Sequence, residues 1–406
     1  MTHEMALEGL TVLDLSRVLA GPWCTQTLAD LGAEVIKVEK PGQGDDTRGW
    51  GPPFLDGTTD AAYFTCCNRN KHSVAIDFST KEGSELVRKL AKNADILVEN
   101  YKLGGLKKYG LDYASLAKEN PALIYCSITG FGQTGPYAHR AGYDFLVQGM
   151  SGMMSVTGAP DHLEGGGPVK AGVAISDLFT GLYATTSILA AVQYRHKTGK
   201  GQHIDCALLD CQVALMANQA ANYLVGGMVP GRFGNNHPNV VPYRVYQVSD
   251  GYIIIACGND GQFQRLCDAL NIPELHGDAR FLTNALRIIN RDELDPLIEN
   301  ATRKFTKDEA LSKLEQHQVP GGPINDLPDV FADPHIQARS MQQTLTRPDG
   351  TDVTVASFPV KLSETPAAHR SAPPQLGSAT FDVLRDKLGL TPEDLKELAK
   401  GGLIQG

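Results

Sequence analysis

The sequence predicts an α/β fold, with a parallel sheet covered on both faces in its first part and a smaller α+β domain after it. Three observations lead there. Short, continuously apolar strands alternate with amphipathic helices over the first 130 residues. A Gly/Pro/Asn-rich stretch from Val225 to Pro242 then breaks the pattern. Beyond it, residues 243–318 open with one strand and continue mostly as helices.

Leu10-Thr11-Val12-Leu13-Asp14-Leu15 is the first apolar strand. Gly21-Pro22 opens a helix, with Pro22 suited to the first helical position, and Gly32 closes it. Val35 to Glu39 and Ser73 to Asp77 are the next strands. Ser79 and Glu82 have capping-box spacing, and Leu86, Val87 and Leu90 share a face of the helix that follows. Ile96-Leu97-Val98 and Leu123 to Ile128 complete a Rossmann-like unit. No G-x-G-x-x-G follows the first strand, so dinucleotide binding has no support. Residues 130–172 are rich in Gly, Pro and His, a composition typical of functional loops. A long apolar helix is expected from about Leu178 to Arg195, then a strand and a helix within 203–224. Residues 343–362 read as a hairpin turning at Pro348-Asp349-Gly350, and the last helix starts at Thr391-Pro392.

Four hundred and six residues suit two domains or one large elaborated domain. The net charge of −9 argues against a general nucleic-acid binder. The eight cysteines form no C-x-x-C pair and no zinc-ligand spacing, so buried reduced thiols are expected and no metal site is. Met1 to Met5 lack the pattern of a signal peptide, and no unbroken apolar run approaches membrane-helix length. The expectation is a cytoplasmic protein with no membrane or nucleic-acid partner.

Asp177 stands between the apolar run Ala171 to Ile175 and the long helix. A carboxylate at the positive end of a helix is held ionised. At such a position a plain N-cap is the commoner use, and Asp144, Asp205 and Asp210 are rival carboxylates. Gly258-Asn259-Asp260-Gly261-Gln262 follows a strand and reads either as a strand-to-helix turn or as a flap over a site. Three basic groups lie near strand ends: Lys37, Lys40 and Arg48; Arg69, Lys71 and His72; Lys102, Lys107 and Lys108. Open α/β sheets bind ligands at the carboxyl ends of their strands, and such clusters suit a polyphosphate. Solvated surface lysines are the plain alternative.

Taken together and in order, these segments resemble the class III CoA-transferase family along essentially the whole chain. The likeness rests on Gly9 to Pro22, Gly32 to Glu39, Asp45-Asp46-Thr47-Arg48, Val98-Glu99-Asn100, Gly130 to Tyr137, Ala141-Gly142-Tyr143-Asp144, Thr198 to Gln202, Asp333-Pro334-His335 and Pro373 to Gly377. The resemblance implies that Asp177 is the nucleophile. It places coenzyme A contacts at Arg17, Val18, Leu19, Ala20, Lys40, Lys71, Asn100, Lys108 and Tyr109, with Arg140 and Tyr143 as further carry-overs. Asp144 and the segment Gly258–Gln262 would support the reaction, the latter as a glycine-rich flap that Asn259 and Asp260 interrupt. It also implies a homodimer of interlocked subunits and a C-terminal segment that returns to the large domain. The domains would run 1–224, 225–320 and 321–406. Coenzyme A is a co-substrate, and no metal or redox cofactor is implied.

The substrate-side stretches 221–226, 238–243 and 258–263 look closest to the branch that uses succinyl-CoA and glutarate. A dicarboxylate acceptor needs a cation for its distal carboxylate, and Arg48, Arg232, His237 and Arg244 are the candidates. The implied chemistry passes through acyl-aspartyl anhydrides and an aspartyl-CoA thioester. Two rivals share the fold: a 2-methylacyl-CoA racemase and a non-catalytic CoA-binding protein. The racemase reading meets Tyr143 where that activity carries a histidine in an Ala-Gly-His-Asp run.

Overall fold

The computed structural model describes residues 4–406 and divides them into two compact units. The first holds Met1–Met153, Ala171–Ala221 and Pro334–Gly406; the second holds Met154–Lys170 and Asn222–Asp333.

Six parallel strands build the first unit: β1 (Thr11–Asp14), β2 (Glu34–Glu39), β3 (Lys71–Ile76), β4 (Ile96–Glu99), β5 (Ile124–Thr129) and β6 (His203–Ala207). Their order is 3-2-1-4-5-6, and the terminal strand Ile404–Gln405 adds antiparallel to β3. This is the doubly wound order, in which the chain reverses direction between β1 and β4 and opens a crevice at their carboxyl ends. Neighbouring side chains on a strand face opposite ways, and the two cores follow from that. Leu13, Ile36, Val74 and Leu97 join one buried cluster with Leu86, Val87 and Leu90 of the helix Lys81–Lys92. Val12, Val35, Ile96 and Val98 join the other, with Leu28 of the helix Ala20–Asp30 and Ala184, Ile188 and Val192 of the helix Ile175–Thr198. Neither face is left to water, which explains why these strands read as continuous apolar runs.

Helix ends differ from expectation in small, physical ways. Thr80, not Ser79, caps the helix Lys81–Lys92 by accepting the Gly83 N–H, while Ser79 turns back to Asp77. Pro22 is the third helical residue rather than the first. Gly21 is required by close approach: a Cβ there would lie 2.3 Å from Ser16 Cβ. The long helix spans 24 residues and is apolar enough, by length and composition, to cross a membrane, with an 18-residue window of mean hydropathy 1.3. Its apolar face lies in the second core cluster, against the helix Ala20–Asp30.

In the second unit, β7 (Tyr243–Val248), β8 (Gly251–Ala256) and β9 (Gly321–Pro323) form an antiparallel sheet. Its core gathers Tyr246, Ile253 and Ile255 with Phe263, Leu266, Leu294 and Ile298 of the helices. Because Gly321–Pro323 is a strand of this sheet, the chain rejoins the first unit at Pro334 rather than at 321. The earlier division falls at Ala221, inside the helix Ala217–Gly226, and residues 154–170 pack with the second unit. The predicted hairpin pairs Gln342–Thr346 with Asp352–Ala356, and the capping box of Thr391 and Asp394 starts the last helix.

Candidate active site

Two cavities lie at the carboxyl ends of the parallel strands, within the first unit. One, of about 450 Å³, is lined by Arg17, Val18, Leu19 and Ala20 after β1, Asn100, Tyr101 and Lys102 after β4, Arg140 and Tyr143 after β5, and Asp177. The other, of about 460 Å³, is lined by Lys40, Gln43 and Asp45 after β2, Phe78 after β3, and Lys108 and Tyr109. Arg17, Tyr101 and Lys102 belong to both, so the two form one trough across the switch point between β1 and β4. One end carries exposed Lys40, Lys102 and Lys108, suited to phosphate; the other ends on a carboxylate.

Asp177 is the third residue of the helix Ile175–Thr198 and makes no cap with its side chain. Asp144 does that work from outside. One of its oxygens accepts the N–H groups of Ser176 at 2.8 Å and Asp177 at 3.4 Å. The other is held by the Gln148 amide at 2.7 Å, and Gln148 in turn accepts the Ala171 N–H. The Asp177 carboxyl is thereby freed to face the cavity. Partial burial and then the neighbouring Asp144 charge push its pKa up to about 7. The expectation that the helix end holds it ionised is corrected: desolvation and a like charge outweigh the helix dipole here. A partly buried carboxylate that ionises near neutrality is a stronger nucleophile than an ordinary aspartate.

The loop after β1 is held from several sides. Asn100 accepts the Arg17 N–H at 2.9 Å and donates to the Arg17 carbonyl at 2.6 Å. The Arg17 guanidinium pairs with Asp46 and lies over the Tyr101 ring. Val18 has φ +70° and donates its N–H to Asp45. Beneath Asn100, burial pushes the Glu99 carboxyl up to about 7.

Of the residues expected from sequence, Arg17–Ala20, Lys40, Asn100, Lys108, Tyr109, Arg140, Tyr143 and Asp177 all line the trough. Lys71 does not. Its ammonium is fully buried and bonded to Asp14, Asn68 and the Pro22 carbonyl, so it neutralises an interior carboxylate and touches no ligand. Arg48 is likewise interior, shared between Glu39 and Asp60 and stacked on Phe64, which removes it as a substrate contact. In the second unit, Arg232 is bound to Asp161, and Arg244 to Asp295 and Glu299. His237 accepts the Asn239 N–H, and burial and then Arg291 lower its pKa, so it is no cation. Gly258–Gln262 is a strand-to-helix turn: Asn259 caps the helix Asp260–Ala269, and the Gly258 N–H is taken by the Gln262 side chain. Asp260 is paired with buried Arg287. Sequence reasoning missed Tyr101, which with Lys102 of the third basic group joins the two halves of the trough. The place of Tyr101 directly after Asn100, at the carboxyl end of a switch-point strand, was the available signal.

The doubly wound sheet thus carries at its switch point a cation-lined trough that ends on a carboxylate, a site suited to an anionic ligand. A family model described as CoA-transferase family III matches residues 7–380. A succinate–glutarate CoA-transferase of Agrobacterium fabrum is 50% identical over 384 residues, 94% of this chain and 95% of that protein. A human succinyl-CoA:glutarate CoA-transferase is 42% identical over 404 residues, 100% of this chain and 91% of its own. A crystal structure of a CAIB/BAIF family protein from Brucella suis superposes with a TM-score of 0.83 at 52% identity, covering 95% of this chain and 100% of that one. The chain belongs to CoA-transferase family III and is an enzyme of the CoA-transferase class.

Proposed function

We propose that this enzyme moves coenzyme A from succinyl-CoA to a short dicarboxylate such as glutarate, with Asp177 as the nucleophile. The observation that carries the reading is the Asp177 carboxyl at the end of a trough whose far end is cationic. The substrates named for the Agrobacterium and human relatives supply the acid pair.

The adenine and phosphate end of coenzyme A would lie along Lys40, Lys108 and Tyr109, with the pantetheine chain passing Arg17–Ala20 and Asn100. The ionised Asp177 oxygen attacks the thioester carbon; the C–S bond breaks, and CoA leaves as thiolate from a succinyl-aspartyl anhydride. The thiolate attacks the aspartyl carbonyl, releases succinate and leaves an aspartyl-CoA thioester. The acceptor carboxylate attacks that thioester to give a second anhydride and thiolate again. The thiolate then takes the acceptor acyl group and frees Asp177. Covalent relay divides one hard exchange into steps of matched leaving groups. Water would hydrolyse both intermediates, so the site must be closed to it during turnover. Arg140 lines the cavity and has no carboxylate partner among the described residues; it rests on the Tyr137 and Phe131 rings. It is a cation available within this cavity to meet the acceptor's distal carboxylate. The working form is an interlocked homodimer.

The test is to incubate the enzyme with succinyl-CoA and glutarate, trap with hydroxylamine, and map the adduct by mass. Transfer with a hydroxamate on Asp177 is the expected result, and Asp177→Ala abolishes both. No transfer to any acid, with deuterium exchange at C2 of a 2-methylacyl-CoA instead, would refute the proposal.

A further inference from the structure

The geometry points to the buried Lys37–Asp45 pair as a positioning device that holds Val18 in a left-handed conformation and so preforms the trough wall for coenzyme A. The inference rests on the proposed function and concerns how this pair, whose side chains are fully removed from solvent, shapes the loop after β1.

Val18 is the anomaly. A β-branched residue at φ +70° is strained, because its side chain crowds the neighbouring carbonyl, and glycine is the residue that adopts this conformation freely. Strain of this kind persists only where the surroundings over-determine the backbone. Here they do. The Ser16 N–H is taken by Asp14 and the Ser16 carbonyl by Lys37 Nζ at 2.9 Å. Both polar backbone groups of Arg17 are taken by Asn100. The Val18 N–H points between the two Asp45 oxygens, at 3.2 and 3.3 Å, and its carbonyl receives Cys67 Sγ.

Asp45 is the centre of this arrangement. Its carboxylate binds Lys37 Nζ at 2.9 Å, and both side chains are fully removed from solvent. It also accepts the N–H and hydroxyl of Thr47, so its orientation is fixed before it meets Val18. A buried carboxylate needs such a partner, and Lys37 supplies it while also gripping Ser16. The pair therefore ties β2 to the loop after β1 at the two residues flanking Arg17. What the trough receives is a loop already in its ligand-ready form, which spares the ordering cost of binding.

The test is kinetic, with folding checked by circular dichroism and melting. Asp45→Asn should raise the KM for succinyl-CoA, and the Kd for free coenzyme A by calorimetry, at least tenfold, with kcat falling less. Adding Val18→Gly to Asp45→Asn should recover most of that loss, because glycine takes φ +70° without help. Val18→Pro keeps the Lys37–Asp45 pair but forbids positive φ and removes the N–H; it should show the same loss of affinity. Unchanged coenzyme A affinity in folded Asp45→Asn or Val18→Pro, or no recovery in the double variant, overturns the inference. The calorimetric arm needs no turnover, so a wild-type enzyme that binds coenzyme A but fails to transfer it would sink the proposed reaction and leave this inference testable.

Discussion

At the scale of single residues, Asp177 and Asp144 divide a task that one aspartate normally performs. Asp144 caps the helix, and the Asp177 carboxyl is left to face the cavity with a raised pKa. The sign of the consequence is definite. The proposed mechanism uses the ionised form, so kcat/KM should rise with pH through about 7. Glu99 also titrates near there, so a Glu99→Gln control, which should keep the limb, assigns it. Asp144→Asn removes the like charge and should move the limb to lower pH. Stability runs the other way. The folded protein holds the Asp177 proton up to about 7, whereas the unfolded chain releases it near the ordinary value of 3.8, so stability is lost as pH rises between them. Asp177→Asn should therefore be inactive yet more stable than wild type at pH 8, by about 1–3 kcal/mol after allowance for solvent screening, with little gain at pH 4. A melting-temperature difference independent of pH would contradict this. Lys71 and Lys40 offer a second contrast. Lys71→Met strands buried Asp14 and should cost about 3–5 kcal/mol. Lys40→Ala should leave the melting temperature alone and raise the KM for the acyl-CoA.

At the scale of elements, the site depends on one loop and one helix start. The turn from β1 into the helix Ala20–Asp30 folds so tightly that Gly21 lies against Ser16. Gly21→Ala should displace that turn, lower stability by about 1–3 kcal/mol and weaken acyl-CoA binding in the same variant. A fall in stability alone, with the acyl-CoA KM unchanged, would separate the turn from the trough. The strands, the hairpin and the Thr391 cap were legible because period, Gly/Pro punctuation and cap chemistry are local. The Ser79 cap was misplaced by one residue because the capping-box spacing of Ser79 and Glu82 pointed there, whereas the backbone starts the helix one residue later, with Thr80 accepting the Gly83 N–H.

At the scale of the molecule, the chain leaves the first unit twice and returns to it, closing the sheet with its last strand. Ile404 is buried against the first core cluster and pairs with Ile76. Ile404→Ala should cost about 2–5 kcal/mol, read as a lower melting temperature of the whole large unit rather than fraying of its end. The boundaries read from composition, after 224 and before 321, lie three and thirteen residues from those of the compact units. A strand as short as Gly321–Pro323 carries no pattern of its own and is defined by its partner β8. The excursion at 154–170 was hidden among loop residues that read alike wherever they pack.

The sequence by itself determined the sheet class and the family, and it singled out Asp177, which the structure sets in the wall of the cavity. Apolar runs demand a two-sided parallel sheet, and ordered motifs along the chain are specific together even where each is weak. It also placed most of the trough, because residues that follow strands converge at a switch point. Tertiary structure alone decided which cations face the ligand. Lys37, Arg48 and Lys71 are basic residues on or near the strands, as Lys40 and Lys108 are, yet interior carboxylates claim them. It alone decided that Asp144, not Asp177, caps the long helix, and that burial sets the Asp177 pKa. Charge pairing and desolvation depend on neighbours distant in the chain, and no local pattern encodes them.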